Sequence, residues 1–496
     1  MRQLTSLDAQ FLAMETGRTY GHVGALALFD PSAAPGGAVS ADDLARVVAG
    51  RIDQLPPFHQ RLVEVPFGLD HPYWIEDPDF DLGFHIRDTA VPPPGDDRRL
   101  ADTVARIFAR PLDRKRPLWE LYLIHGIAGG RVGMLTKVHH AAVDGVSGAE
   151  ILGVLFDLEP GAPAAEDKGA SWEPERLPSD LEMLGRGLLG LPRQPVRALR
   201  SLPAALPALP NFPGAALVPG MPLLQRARSG AQKALGTAHD TELVDVRVSR
   251  APKTRFNGKV SPHRRFSFGS LSLDDVKALK DELGIKVNDV VVALCATAVR
   301  NWLLARGELP DEPLVALVPV SVRTDQERGT FGNKLTGMIL PIPTDVEDPR
   351  ARLLRAHEVL KRAKGQTQGL PASLMTDVSN FLPPAIFNRA ARLALEVSGR
   401  VRPALNLIIS NVPGPPVPLY CAGARLLAHH PVSVVMDGVG LNITVMSYED
   451  RLDFGIVVDP DMVDDAWSFM DAMRQALDEL VEAILGRERA PEPAPA

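Results

Sequence analysis

Two periods of apolar spacing account for most of this chain. Short runs of β-branched and apolar residues bounded by turn signals predict strands over residues 22–29, 118–124 and 132–140. Apolar residues at helical spacing predict helices over 41–55, with Ser40 as N-cap, over 98–109 and over 148–158. The second half repeats the mixture. Strands are predicted over 264–268, 314–322, 335–342, 405–410, 441–447 and 452–458. Helices are predicted over 272–283, 287–305, 349–364, in two stretches within 372–399, and over 464–485. Strands and helices mix without a regular βαβ rhythm, which points to an α+β fold with sandwich-like halves.

Between the halves the pattern breaks down. Residues 160–175 are rich in Pro, Ala, Gly and charge, and apolar periodicity returns only near Ala251. The expected organisation is an N-terminal half over 1–160, a Pro-rich basic and apolar connection over 161–250, and a C-terminal half over 251–486. A disordered tail is expected over 487–496. The uncharged run 201–225 is long enough to span a bilayer. It contains Pro203, Pro207, Pro210, Pro213, Pro219 and Pro222, however, and such proline density removes hydrogen bonds that hydrocarbon cannot replace. From Met183 to His239 there is no Asp or Glu, while six arginines and Lys233 give a local charge of +7. An apolar, basic segment on an otherwise acidic chain reads as a contact for anionic lipid, or as a crossover whose charge is accidental.

Composition narrows the functional classes. A length of 496 residues suits two domains, each with its own core, and 45% hydrophobic with 23% charged residues is ordinary for folded protein. The net charge of −7 gives no sign of nucleic-acid binding. Cys295 and Cys421 are the only cysteines, too few for a disulfide framework or a cysteine metal site, and the first residues lack the apolar core of a signal peptide. A cytoplasmic location is expected, with peripheral attachment to the inner membrane face or to lipid inclusions.

The richest chemistry lies in Lys137-Val138-His139-His140-Ala141-Ala142-Val143-Asp144-Gly145. Adjacent strand residues point to opposite faces, so only one of His139 and His140 can face a reacting group. Asp144 follows across a turn that Gly145 helps to form. The tract suits a general base at the end of a rigid strand; a structural pair and a metal site are the other readings. Metal binding fits poorly, because neighbouring strand histidines diverge and no cluster with ligand spacing lies nearby. The chain has no G-x-S-x-G elbow, no phosphate loop and no G-x-G-x-x-G after a strand, so direct transfer without a covalent enzyme intermediate is the simpler chemistry.

His139-His140-x-x-x-Asp144-Gly145 resembles the HHxxxDG signature of the CoA-dependent acyltransferases, a superfamily that includes chloramphenicol acetyltransferase and peptide-synthetase condensation domains. An ordered set of further stretches is similar to the bacterial wax ester synthase/diacylglycerol acyltransferases in particular. It comprises Leu7-Asp8-Ala9-Gln10-Phe11, Asp77-Pro78-Asp79-Phe80-Asp81, Pro117-Leu118-Trp119-Glu120, Val287-Asn288-Asp289-Val290, Ser410-Asn411-Val412-Pro413-Gly414-Pro415 and Gly440-Leu441-Asn442-Ile443-Thr444. The similarity runs to about Gly486 and is weakest in the middle.

The resemblance implies two chloramphenicol-acetyltransferase-like domains with a substrate tunnel between them. It implies His140 as general base, His139 in support, and Asp144 in a structural role with Gly145 at the turn. Arg323 is a candidate partner for Asp144. Pro117, Leu118 and Trp119 would lie near the substrate channel. Asn288 and Asp289 would support the site or cap a helix, and Ser410 and Asn411 would donate to an oxyanion or satisfy a turn. The implied reaction moves a long-chain acyl group from acyl-CoA, a co-substrate, to diacylglycerol or a fatty alcohol, with no cofactor and no metal. Amide-forming condensation and non-catalytic lipid binding are the alternatives.

Overall fold

The computed structural model describes residues 1–143, 151–161, 172–190, 251–321, 335–367 and 403–488. Asp144, Gly145, Arg323, the proline-dense run 201–225 and the two helical stretches within 372–399 lie outside the described residues, as does most of the 161–250 connection.

Two six-stranded sheets form the frame. The first is built on the antiparallel strands His22–Asp30, Val132–His139 and Trp119–His125, with Ile86–Ala90 added in parallel at one side. On its other side Ala424–Val432 arrives from the far end of the chain and pairs with His22–Asp30, and the short strand Tyr420–Cys421 pairs with it at the edge. A division of the chain by sequence order leaves out this exchange. The second sheet runs Leu335–Ile342, Leu314–Ser321, Leu407–Val412, Leu441–Tyr448, Arg451–Val458 and Arg265–Ser272.

The helices end where local chemistry ends them. The expected helix over 41–55 stops earlier, as Ala41–Ala49: Ser40 and Asp43 form a capping box at its start and Gly50 closes it. Ser272 caps Leu273–Leu283, and Gly284 ends it in the left-handed conformation. Val287–Leu304 is apolar around most of its circumference because most of its residues are buried in the core of the second half. It is long and apolar enough to cross a membrane by composition, and 72% of it is buried inside the fold. Leu26, Leu28 and Val104 share a separate core with Phe266, Phe268, Val432 and Val457, which welds the two halves together.

The halves touch most closely where Ala424–Val432 crosses Arg451–Val458. A Cβ on Gly455 would lie 1.7 Å from the Pro431 carbonyl oxygen, so only glycine lets the two backbones approach. Beside this crossing the buried Asp453 carboxylate accepts the His429 amide at 2.7 Å and the Ser270 hydroxyl at 2.6 Å.

Candidate active site

Beside that crossing the sheets part and leave a cavity of about 720 Å³, within the size range of small-molecule sites. Thr136, Val138 and His140 face it from the first sheet; Leu317, Ile408, Ser410, Asn442 and Thr444 face it from the second. The period of two that alternates side chains across a strand brings His140 to the cavity and turns His139 away, as the spacing requires.

His140 is fixed from two directions. Its amide donates to the Gly21 carbonyl at 2.7 Å, and its ring lies flat on Phe11, with centroids 4.0 Å apart and planes 8° from parallel. Phe11 belongs to the helix Ser6–Met14, which Thr5 caps through the Asp8 amide. His139 is 1% exposed, and its Nδ1 accepts the Ala141 amide at 3.0 Å. Its ring proton therefore sits on Nε2, 3.1 Å from Glu15 Oε1. Leu118 accepts the His139 amide at 2.9 Å.

Glu15 is a site residue that reading the sequence missed. One carboxylate oxygen accepts the Gly21 amide at 2.8 Å, and the other accepts from Arg114 Nη2 at 2.8 Å. Burial alone would raise its pKa, but His139, the Gly21 amide and Arg114 hold it down at about 2. A Cβ on Gly21 would come within 2.7 Å of His139 Nε2, so this glycine admits the ring to the carboxylate. No spacing rule links a carboxylate at 15 to an imidazole at 139.

Trp119 stands one layer behind the cavity. It is fully buried, sandwiched between Phe58 and His85 with both centroid distances 4.3 Å, and its indole N–H donates to the Phe58 carbonyl at 2.8 Å. Phe58, rather than Pro117, Leu118 or Trp119, supplies the surface that lines the cavity. The tripeptide supports the strand end that carries the histidines.

Asn288 and Asp289 separate into two roles. Asn288 lines the cavity, and its Oδ1 accepts from Asn411 Nδ2 at 3.1 Å, joining the start of a helix to the end of a strand. Ser410 and Asn411 line the same wall. Asp289 is 2% exposed and points away. Its Oδ2 accepts the Lys286 amide at 3.0 Å and lies 2.7 Å from His357 Nδ1. The cap reading therefore belongs to Asp289 and the cavity reading to Asn288.

The two cysteines are unsuited to nucleophilic chemistry. Cys295 and Cys421 are buried in separate cores, and burial pushes both thiols up to about 12. Among the described residues no group of three His, Cys, Asp or Glu side chains could hold a metal ion.

Comparison with known proteins gives a consistent picture. The family model of the wax ester synthase/diacylglycerol acyltransferase catalytic domain matches residues 4–291, and the model of the C-terminal domain of the same proteins matches 331–481. A putative diacylglycerol O-acyltransferase of Mycobacterium tuberculosis (strain CDC 1551 / Oshkosh) is 37% identical over 484 residues, covering 97% of this chain and 90% of the relative. A second from the same strain is 34% identical, covering 97% of this chain and all of the relative. Among solved structures, the wax ester synthase/diacylglycerol acyltransferase from Marinobacter aquaeolei VT8 is 30% identical with a TM-score of 0.66, covering 98% of this chain and 100% of that one. The first condensation domain of the CDA synthetase shares the fold at 16% identity and a TM-score of 0.55, covering 98% of this chain and 97% of that one.

Proposed function

The chain belongs to the wax ester synthase/diacylglycerol acyltransferase family, and from that premise we propose how its own residues carry out acyl transfer. The protein is an O-acyltransferase that joins an acyl group from acyl-CoA to a lipid hydroxyl. The observation that carries the mechanism is the His140 imidazole, turned into a cavity between the two sheets and clamped by Phe11 and Gly21.

His140 accepts the proton of the acceptor hydroxyl as that oxygen attacks the thioester carbonyl. A tetrahedral oxyanion forms and needs fixed donors. Asn288, Asn411 and the Ser410 hydroxyl, on the opposite wall, supply candidates, with the Asn288–Asn411 bond holding both amides in orientation. Collapse of the intermediate breaks the carbon–sulfur bond, and protonated His140 returns its proton to the CoA thiolate. Glu15 keeps His139 in one tautomer and so steadies the turn that presents His140. Asp144 and Gly145 are proposed to hold that turn.

Diacylglycerol is the proposed main acceptor and fatty alcohol a second one. The test is a labelled palmitoyl-CoA assay with competing diacylglycerol and hexadecanol, run beside His140→Ala. Labelled triacylglycerol in excess of wax ester, falling at least roughly 1,000-fold in the variant, is the expected result. Wax ester in excess reverses the acceptor ranking, and CoA release with free fatty acid in place of ester means that neither alcohol is the acceptor. Ester formation by His140→Ala at the normal rate removes His140 from the mechanism.

The protein is also proposed to work at a lipid surface. Phe67 is 82% exposed in a turn where its φ is +60°, and the helix Asp180–Gly190 packs against that turn through Gly187. On this helix Leu181, Leu188 and Leu189 are exposed, and the +7 stretch begins within it.

A further inference from the structure

The second histidine pair of the chain, His429-His430, repeats the divergence of the first. His430 turns to the shared core, its ring 4.8 Å from Phe268 and its Nδ1 3.1 Å from the Phe454 carbonyl. His429 turns the other way and lines the same cavity as His140. It is 5% exposed, and its Nδ1 has no hydrogen-bond partner. Burial drives its pKa down to about 3, so the ring is neutral. A buried polar ring with an unmatched nitrogen is an unusual choice for the wall of a largely apolar cavity.

Its place along the channel follows from strand register. His429 pairs with Ala27, and Ala27 with Met134. His140 lies level with Gly21 at the other end, six residues along the same strand direction. At ~3.3 Å per residue the two imidazoles are separated by roughly 20 Å. An extended chain of about 16 carbons has that length, since tetrahedral zigzag geometry lets each ~1.5 Å C–C bond advance the chain by only about 1.25 Å. The backbone at His429 is held by its 2.7 Å bond to Asp453, whose register partner Met446 lines the cavity as well.

We propose that His429 is a polar stop that sets the length of the substrate hydrocarbon chain seated between it and His140. A chain that ends short of the ring leaves the imidazole hydrated. One that runs further must press its methyl end against a polar group it cannot satisfy. The proposal rests on acyl transfer at His140 as the activity of the cavity.

Two variants separate size from polarity: His429→Ala opens space, and His429→Leu keeps bulk but removes the polar edge. Each is tested with acyl-CoA and 1-alkanol series from 12 to about 20 carbons, in turnover and in displacement of a fluorescent fatty-acid probe. The wild-type preference should fall beyond about 16 carbons in one series. In both variants chains two carbons longer should gain on the order of tenfold. Length profiles that superimpose on wild type in both series overturn the stop. If the binding profiles shift but no protein transfers an acyl group, the activity is misassigned and the stop stands.

Discussion

At the scale of single residues, the site depends on a carboxylate that does no chemistry itself. Glu15 meets His139, the Gly21 amide and Arg114 at once, and Gly21 is also the residue that accepts the His140 amide. Glu15→Gln keeps the shape and removes the charge. Its folded-state pKa of about 2 lies below the ordinary 4.5, so its stabilisation is complete above pH 4.5 and is lost as pH falls through about 2. At pH 7 the variant should be less stable by about 2–3 kcal/mol, with the gap closing toward pH 2. Loosening of the turn should slow esterification roughly 10- to 100-fold. Denaturation midpoints from pH 2 to 7, with kcat measured separately from KM, check both. A stability gap that does not change with pH would place the effect in packing instead. The histidine pair could be read from the sequence because its signature is one contiguous stretch, His139 to Gly145. Glu15 could not, since its partners lie 99 and 124 positions away.

Among elements, the helix Val287–Leu304 shows how much a sequence can say about a boundary. Its apolar run and the Asn288-Asp289 pair mark its start correctly. Which of the pair faces the cavity depends on His357, 68 positions away, and on Asn411, 123 positions away. The two single variants should therefore part company. Asp289→Ala leaves the Lys286 amide and His357 unmatched and should lower stability by about 1–2 kcal/mol, with kcat nearly unchanged. Asn288→Ala should leave the melting temperature near wild type and lower kcat by roughly 100-fold. Thermal unfolding and steady-state kinetics on both proteins decide; the reverse pattern would exchange their roles. Ala424–Val432 was harder to see. Pro431 lies inside it and two histidines precede that proline, a composition that argues against a central strand by every local rule. Packing at Gly455, rather than propensity, selects it.

For the whole molecule, the α+β class and the two-sheet frame were legible because most of the strands carry their own pattern. The joining of the halves was not, because it depends on a strand pairing between residues about 400 positions apart, such as Leu26 with His430. The exposed Phe67, Leu181, Leu188 and Leu189 add a property that belongs to the molecule as a whole. Vesicles containing anionic phospholipid should pull the protein down in sedimentation, and neutral vesicles should do so less. Replacing Leu181, Leu188 and Leu189 together by serine should weaken that binding roughly tenfold or more, since each exposed apolar side chain contributes on the order of 1 kcal/mol at an interface. Equal recovery with and without vesicles would remove the lipid-surface reading and leave the catalytic one untouched.

The strand supplied by Ala424–Val432 has a consequence for how the protein is made. During synthesis His22–Asp30 leaves the ribosome long before its neighbour exists. At ~5–20 residues per second, one edge of the first sheet waits roughly 20–80 s for its partner. Throughout that interval the nascent chain carries an open, apolar β-edge of the kind that recruits the wrong strand. The acyltransferase site forms on the inner face of that sheet, so it is assembled only when translation is nearly over.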